Sequence, residues 1–198
     1  MEKKSATVIR VAAKSVAAAL GNDFAYALVG GAACILLGGQ RVTEDIDFVV
    51  PKGSTPRARQ LLKASGAFTI DSRTLHTKHT ETDVEIEILA PPKLFQGVFD
   101  ESTPTVTVDG VRVLHPLLLL NVKCKSLLGR ASEMKKFTDG QDIAFLLDYC
   151  VCDGIEINPE DVPNATPELV EYTVLQGWVA RETWNSAGYR DGSGWQKP

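Results

Sequence analysis

The sequence predicts an α+β fold in which a small mixed β-sheet is flanked by helices and followed by a C-terminal helical segment. Three observations predict this class. Short apolar runs typical of strands alternate with runs of helical period in the first half of the chain. An Asp-Gly pair at residues 109–110 is typical of a two-residue hairpin turn. After residue 115 the patterns are helical.

The first four predicted elements lead from a helix through a strand and a short helix into a second strand. Apolar residues at helical spacing over 5–20, followed by a glycine, predict the helix. The apolar run over 24–29 ends on a glycine pair, as a buried strand does before a turn. Residues 32–37 predict a short helix before a second glycine pair. The period-two run over 45–50, stopped by Pro51, predicts the next strand.

The middle of the chain predicts one helix and several strands. Residues 55–65 have helical character. Two weaker strand patterns cover 68–70 and 73–79, and a stronger one covers 83–89 before two prolines. The run over 106–114, with its central Asp-Gly pair, predicts a hairpin.

The last part of the chain predicts helices and a tail. A His-Pro pair begins a helix over 116–128, and further helical patterns cover 139–149 and 166–183. The final residues, 186–198, are rich in small and polar types and predict a loose tail.

The composition is that of an ordinary folded protein, with 44% hydrophobic and 23% charged residues. The formal net charge of −4 excludes a surface that is basic throughout, as non-specific nucleic-acid binding requires. No apolar run approaches the roughly 20 residues that cross a bilayer, and the start lacks a secretory pattern. The four cysteines include no CxxC pair and favour reduced thiols, so we expect a cytoplasmic protein without a membrane partner.

The glycine pair Gly30-Gly31 lies where a predicted strand meets a predicted helix. Without Cβ atoms the backbone can approach a ligand closely, and free N–H groups at a helix start favour a phosphate. A tight turn without a ligand is the plainer alternative. The segment contains neither GxGxxG nor the lysine of a P-loop, so it matches neither of those nucleotide-binding motifs.

Asp45 and Asp47 are two residues apart on a predicted strand, so both carboxylates leave the same face. Carboxylates with this spacing can converge on divalent cations, as in two-metal phosphoryl-transfer sites. A solvated strand face is the alternative. The next residues, Val49 and Val50, are both apolar, which makes a fully solvated strand the poorer explanation.

Four acids, Glu81, Asp83, Glu85 and Glu87, occur at strict period two, so one face of their predicted strand is wholly acidic. An exposed edge strand that uses charge against aggregation is one explanation. A set of hard carboxylate oxygens for Mg²⁺ is the other. Glu85 and Glu87 lie deepest in the strand and are the candidates for such a set.

Taken together, the strand, the glycine pair, the short helix, the Arg-Val-Thr-Glu-Asp-Ile-Asp segment at 41–47 and a later acidic strand resemble the DNA polymerase β-type nucleotidyltransferase superfamily. The pattern is most similar to the minimal nucleotidyltransferases and the AbiEii-like toxin proteins. It covers residues 30–89 and extends more loosely to residue 147, through the basic helix around Lys123 and the segment over 135–147. The resemblance implies a nucleotidyltransferase fold, with a nucleotidyltransferase-like domain over 1–150 and a helical extension and tail over 151–198.

The resemblance also implies a role for each matching residue. Asp45 and Asp47 would bind two Mg²⁺ or Mn²⁺ ions. Glu87 or Glu85 would be the third carboxylate, where the family usually has Asp, and Glu87 is the third expected metal ligand. The residues implied for nucleotide contacts are Gly30, Gly31, Arg41, Thr43, Lys123 and Lys125. Of these, Lys123, with Lys125 as its alternative, would meet the β- and γ-phosphates.

The implied activity is transfer of an NMP from an NTP, such as ATP, to a hydroxyl acceptor with release of pyrophosphate. The acceptor stays open between a protein side chain, an RNA end and a small molecule, and so does the oligomeric state. A catalytically weak nucleotide- or partner-binding module with the same fold is the alternative, motivated by glutamate at the third carboxylate position. A toxin role is suggested by family analogy alone.

Overall fold

The structure of the protein, a computed structural model, describes residues 4–95, 97–190 and 194–195. Its backbone contacts divide it into two compact units, the first ending at Leu114 and the second beginning at His115. The first unit holds a seven-stranded mixed sheet, and the second holds helices and a two-stranded hairpin. The predicted α+β class is confirmed. The family domain boundary at residue 150 stays a prediction.

In the first unit, helices and strands alternate as far as the third helix and five strands follow, and the sequence patterns predicted each of these elements. Two differences bear on the site. The second helix begins at Gly30, not at residue 32, so the glycine pair forms its first turn. Residues 72–74 form a turn, so the strand predicted over 73–79 begins only at Thr77, because Asp71 Oδ1 accepts hydrogen bonds from the backbone N–H groups of Arg73 and Thr74. The elements are α1 (Ala6–Leu20), β1 (Ala27–Val29), α2 (Gly30–Leu36), β2 (Asp45–Val49), α3 (Thr55–Ala64), β3 (Phe68–Ile70), β4 (Thr77–His79), β5 (Glu85–Leu89), β6 (Thr105–Val108) and β7 (Val111–Leu114).

The strands lie in the order β3-β4-β5-β2-β1-β7-β6, so β2 is central. It pairs with β1 in antiparallel and with β5 in parallel orientation. On one face of β2, Ile46 and Phe48 are fully buried. Burial of each such side chain adds roughly 1.5–3 kcal/mol to the free energy of unfolding, relative to leaving it exposed. A shift of one residue in the register of β2 would turn the acids towards this core. The burial of Ile46 and Phe48 therefore determines which face of the strand carries Asp45 and Asp47.

The second unit is mainly helical, with α4 (Pro116–Gly129), α5 (Glu133–Cys152), α6 (Pro167–Leu175), α7 (Arg181–Ser186), β8 (Tyr189–Arg190) and β9 (Gly194–Trp195). α5 begins six residues before its predicted start. Gly140, which weakens the helical pattern, allows close packing, since a Cβ there would lie 2.8 Å from Trp178 Cβ. The single helix predicted over 166–183 is wrong, because Gly177, with φ of +69°, separates α6 from α7.

The prediction of a loose tail over 186–198 is wrong for the residues described there. Tyr189 is 3% exposed, and β8 pairs with β9. The rings of Tyr189 and Trp195 meet edge to face with centroids 5.5 Å apart, and each lies 6.0 Å from the ring of Trp184. Aromatic packing of this kind outweighs local polar composition. Residues 191–193 and 196–198 lie outside the described residues.

All four cysteines lie in the described part of the chain, and none forms a disulfide. Three of them are buried, and Cys152 is exposed. Burial raises the pKa of the Cys150 thiol to about 12, so this thiol stays protonated at neutral pH. Over the residues that the structure describes, no helix combines the length and the apolar character that a membrane span needs.

Candidate active site

Gly30 and Asp47 contact each other at the start of α2. β1 and β2 are antiparallel with Val29 opposite Asp47, so the chain enters α2 beside the strand that carries this acid. Gly30 has a left-handed backbone with φ of +64°. A Cβ at this position would lie 2.5 Å from Asp47 Oδ2. The backbone conformation therefore favours glycine, and a Cβ here would displace the Asp47 carboxylate.

Gly31 and Arg41 form the next contact along the same helix turn. Gly31 is buried, and a Cβ on it would lie 2.7 Å from the Arg41 Cζ atom. The guanidinium thus packs directly on the glycine, and Arg41 Nε donates to the Val42 carbonyl at 3.3 Å. A half-buried guanidinium next to the carboxylate strand is suited to recognising phosphate oxygens.

Thr43 orients Asp45. Its side chain is nearly buried, and Oγ1 donates a hydrogen bond to Asp45 Oδ1 at 3.1 Å. The Thr43 carbonyl accepts a hydrogen bond from the Lys4 backbone N–H at 2.8 Å. The backbone of Thr43 is therefore anchored, which fixes the position from which its hydroxyl holds the carboxylate.

The register between β2 and β5 brings four acids onto one face. Asp45 lies opposite Glu85, and Asp47 lies opposite Glu87. Paired residues on neighbouring strands point to the same side and are about 4.8 Å apart. We call these four residues the carboxylate face. No three acidic, histidine or cysteine side chains of the described residues already lie close enough to hold a metal ion, so sharing a cation requires side-chain rotation.

The two glutamates of this face differ in their surroundings. Glu85 Oε2 lies 3.4 Å from His76 Nε2, and Glu85 Oε1 lies 3.8 Å from Lys78 Nζ. The Glu85 side chain is only 17% exposed. Glu87 is exposed and forms no ion pair within the described residues. Glu87 is therefore the better placed of the two to join Asp47 at a shared ligand.

Sequence reasoning missed His76 and Lys78 as part of this region. Lys78 lies opposite Glu85 across β4 and β5, and its ammonium also lies 3.1 Å from Asp83 Oδ1. The only signal in the sequence is basic residues at alternate positions of a weak strand before an acidic one. That signal becomes useful once the strand register is known.

Lys123, predicted to contact phosphate, lies in the second unit and is 7% exposed. Its ammonium lies 2.8 Å from Asp139 Oδ1 and 2.7 Å from Asp142 Oδ2. Arg130 Nε donates to Asp139 Oδ2 at 2.8 Å. We call Lys123, Arg130, Asp139 and Asp142 the ion-pair network. The phosphate contacts of Lys123 and of the exposed Lys125 stay predictions.

The pKa of Asp139 reflects two opposing effects. Burial alone would raise it, but the nearby charge of Lys123 and the hydrogen bond from Arg130 outweigh burial and lower it. Ser126 Oγ adds a hydrogen bond to Asp139 Oδ2 at 2.9 Å. The network is thus satisfied by partners within the second unit.

Eight of the ten predicted site residues lie in the first unit, close to β2. The contacts that join them are Gly30 with Asp47, Gly31 with Arg41, Thr43 with Asp45, and the register pairs Asp45 with Glu85 and Asp47 with Glu87. A half-buried acidic face beside a helix turn that favours glycine defines a candidate site for a phosphorylated ligand.

Known structures share this fold. The chain is similar to an antigenic nucleotidyltransferase-like protein from Paracoccidioides brasiliensis, with 23% identity, 94% of each chain covered and a TM-score of 0.57. It is also similar to JHP933 from Helicobacter pylori, with 17% identity and a TM-score of 0.54 over 94% of this chain and 79% of that chain. No protein-family model matches the sequence, and no curated protein matches it. The fold is therefore nucleotidyltransferase-like, as the resemblance implied.

Proposed function

We propose that the protein is a metal-dependent nucleotidyltransferase that transfers an NMP from an NTP, such as ATP, to a hydroxyl acceptor and releases pyrophosphate. The observation that carries this proposal is the contact between Gly30 and Asp47. The stability of the fold does not require an acidic side chain beside a glycine with a left-handed backbone, or a strand register that places Glu87 next to that acid. A site in which phosphates approach carboxylates does require such an arrangement.

The residues proposed to hold Mg²⁺ or Mn²⁺ are Asp45, Asp47 and Glu87. Their carboxylate oxygens are the hard ligands that these ions prefer. When bound, the ions would supply positive charge against the negative charge of the phosphates. Glu85 stays outside this set in the proposal, because His76 and Lys78 already hold it.

The other residues of the first unit bind and orient the reactants. Thr43 keeps Asp45 in one orientation, Arg41 contacts phosphate oxygens, and the glycine pair lets the nucleotide approach the backbone. In the transfer, the acceptor oxygen bonds to the α-phosphorus while the bond to the bridging oxygen breaks. Pyrophosphate leaves with that electron pair, and the acceptor proton passes to solvent. Positioning and charge compensation would supply most of the catalysis.

Two narrower statements belong to the same proposal. Within the superfamily we place the chain nearest the minimal nucleotidyltransferases and the AbiEii-like toxin proteins, on the motif from Gly30 to Glu87. We also propose that it acts in the cytoplasm, since four cysteines without a disulfide suit a reducing compartment.

Labelled NTPs test this function. With Mg²⁺ and a panel of protein, RNA and small-molecule acceptors, we expect NMP transfer and pyrophosphate release. Asp47→Asn should lower release by about 100- to 1,000-fold, because it removes charge where the phosphates react. The matched control is Asp109→Asn, which changes an exposed turn acid whose left-handed backbone suits asparagine.

The outcomes separate the proposal from its alternative. Absence of release with every NTP and acceptor would overturn the proposed activity. Thermal stabilisation by NTP that needs no metal and leads to no release would favour the nucleotide-binding module. That alternative draws support from glutamate at position 87, whose side chain is one methylene longer than the aspartate usual in the family.

A further inference from the structure

One edge of the seven-stranded sheet has no strand beside it. β6 is the last strand in the sheet order, and among the described residues it pairs with β7 alone. Its residues, Thr105–Val108, are all threonine or valine, so the strand carries neither charge nor proline. Exposed edge strands normally carry such residues, because they prevent pairing with another chain. The composition of β6 therefore leaves it able to pair with a further strand.

The register of the hairpin shows which backbone groups of β6 point outwards. Thr107 lies opposite Arg112, whose N–H donates to the Tyr26 hydroxyl at 3.4 Å and so points away from β6. Opposite residues of an antiparallel pair direct their N–H and C=O groups either towards each other or both away. The backbone groups of Thr107, and by alternation those of Thr105, therefore point to the open side. No backbone hydrogen bond from elsewhere in the described residues reaches them there.

The apolar face of the hairpin also ends uncovered at this edge. Val106 lies opposite Val113, and Val108 lies opposite Val111. Opposite residues share one side of the sheet. On that side Val111 and Val113 are fully buried, whereas Val106 and Val108 are only partly buried. A strand added beside β6 would cover the apolar surface that these two valines leave in water.

The two ends of β6 carry opposite charge. The chain enters the strand after Asp100 and Glu101, which have a formal charge of −2 and which we call the acidic end. At the other end, Arg10 Nη1 and Lys14 Nζ lie 3.7 and 3.5 Å from Asp109 Oδ2 in the hairpin turn. These three residues, which we call the basic end, have a formal charge of +1. The side chains of Lys14 and Asp109 are more than half exposed, so the basic end faces solvent.

We propose that β6 pairs in antiparallel orientation with β6 of a second copy of this chain, across a twofold axis at Val106. Thr105 of each copy then lies opposite Thr107 of the other, and the two residues exchange both backbone hydrogen bonds. The acidic end of each copy lies beside the basic end of the other, which is the charge complementarity that selects a second copy as the partner.

This arrangement closes on itself. Both copies use the same surface, so the pair is a dimer in which neither β6 edge stays open. None of the residues proposed to bind the NTP or the metal belongs to the interface. The dimer therefore does not depend on the proposed function, and neither result bears on the other.

Sedimentation velocity of the full chain tests the assembly. Between about 5 and 500 µM, we expect the average mass to rise from that of one chain towards that of two, and no further. Added salt should weaken the dimer, because the charges at the ends of β6 are exposed. A single chain at every concentration would overturn the proposal, and so would continued growth beyond two chains.

A matched pair of substitutions at one position locates the interface. Thr107→Pro removes the outward N–H without removing a bond to β7, whereas Thr107→Val keeps this N–H and the branched side chain. We expect the dissociation constant to rise at least about 100-fold with proline and to change less than about threefold with valine. Circular dichroism checks that both variants are folded. Equal dimerisation of the two folded variants would overturn the assignment to β6.

Charge reversal outside the strand tests the orientation, and does so even if Thr107→Pro does not fold. Glu101→Lys and Lys14→Glu change exposed residues, and each should weaken self-association by about tenfold. A mixture of the two variants should form heterodimers more tightly than either variant pairs with itself, because one acidic end still lies beside one basic end. Heterodimers no tighter than both homodimers would overturn the antiparallel arrangement.

Discussion

Two clusters of charged residues in this chain use the same residue types in opposite ways. The carboxylate face of the first unit has four acids, with Lys78 and His76 in contact with one of them. Three of these acids are half-buried and Glu87 is exposed. The ion-pair network of the second unit has two acids and two bases, so its formal charge is zero. Lys123 is 7% exposed, and Asp139 and Asp142 are 2% exposed.

The charges of the network balance each other, whereas the carboxylate face consists of acids alone. Buried ions are tolerated when they are paired and hydrogen-bonded, and the network meets both conditions. Like charges opposite each other on neighbouring strands lower stability, so the pairs Asp45 with Glu85 and Asp47 with Glu87 work against folding. Proteins keep such local conflicts chiefly where function needs them. On this ground the carboxylate face, more than the network, is the proposed site.

The largest expected effect is on the network. Lys123→Met leaves two buried aspartates without their shared cation, so the free energy of unfolding should fall by about 3–5 kcal/mol. Lys125→Met, on the same helix but exposed, should change it by no more than about 0.5 kcal/mol. Urea unfolding followed by circular dichroism measures both. Similar small losses in the two variants would mean that the network is not the stabilising element described here.

The next effect concerns the two glutamates of the carboxylate face. Glu87→Gln should lower pyrophosphate release by about 100- to 1,000-fold, because the charge removed lies beside Asp47. Glu85→Gln loses only partly exposed ion pairs, worth roughly 0–1 kcal/mol, and should lower release less than about tenfold. Steady-state pyrophosphate assays with each purified variant compare them. The reverse order would identify Glu85 as the third carboxylate.

A smaller effect is expected where glycine contacts the acid. Gly30→Ala and Gly53→Ala both place a Cβ on a left-handed backbone, at a cost of about 1–2 kcal/mol each. Only Gly30→Ala also displaces Asp47, because no atom lies within 4 Å of a Cβ at Gly53. We expect Gly30→Ala alone to lower release, by about 100-fold. Equal activity of the two variants would show that the contact has no role in the reaction.

The smallest effect is the dependence of stability on acid. Burial lowers the pKa of His79 and of His115 from the ordinary value of 6.5. At and below about pH 6.5 the unfolded chain therefore binds more protons at these histidines than the folded chain does. Their full contribution to the free energy of unfolding is present above this pH and is lost as the pH falls. Asp139 should keep its charge in this range, because its pKa is lowered.

Urea midpoints between about pH 7.5 and pH 5 measure this dependence. His79→Gln should make the fall shallower, and part of the slope should remain because the pKa of His115 is lowered as well. An unchanged slope in the variant would contradict a depressed pKa for His79.

Local patterns predicted the parts of the site that depend on neighbours in the sequence. The two-residue spacing of Asp45 and Asp47 predicted a shared face, and the glycine pair predicted a close approach at a strand-to-helix turn. The choice between Glu85 and Glu87 depended on the register of β4 against β5, which brings Lys78 to Glu85. Local alternation carries no information on that register.

The second unit was harder to predict for a related reason. Lys123 and Asp139 are 16 residues apart and meet only because α4 packs against α5. In the sequence, Lys123 therefore cannot be distinguished from a lysine on the surface. Gly140 weakens the helical pattern of α5, yet its lack of a Cβ admits Trp178. In both cases packing between elements outweighs local preference.

The structure of the protein with a non-hydrolysable NTP and Mg²⁺ tests the central claim most directly. We expect Asp45, Asp47 and Glu87 to have rotated onto the metal, with the phosphates beside Gly30 and Glu85 still held by Lys78. A nucleotide bound elsewhere, or phosphates without metal on the carboxylate face, would contradict the account.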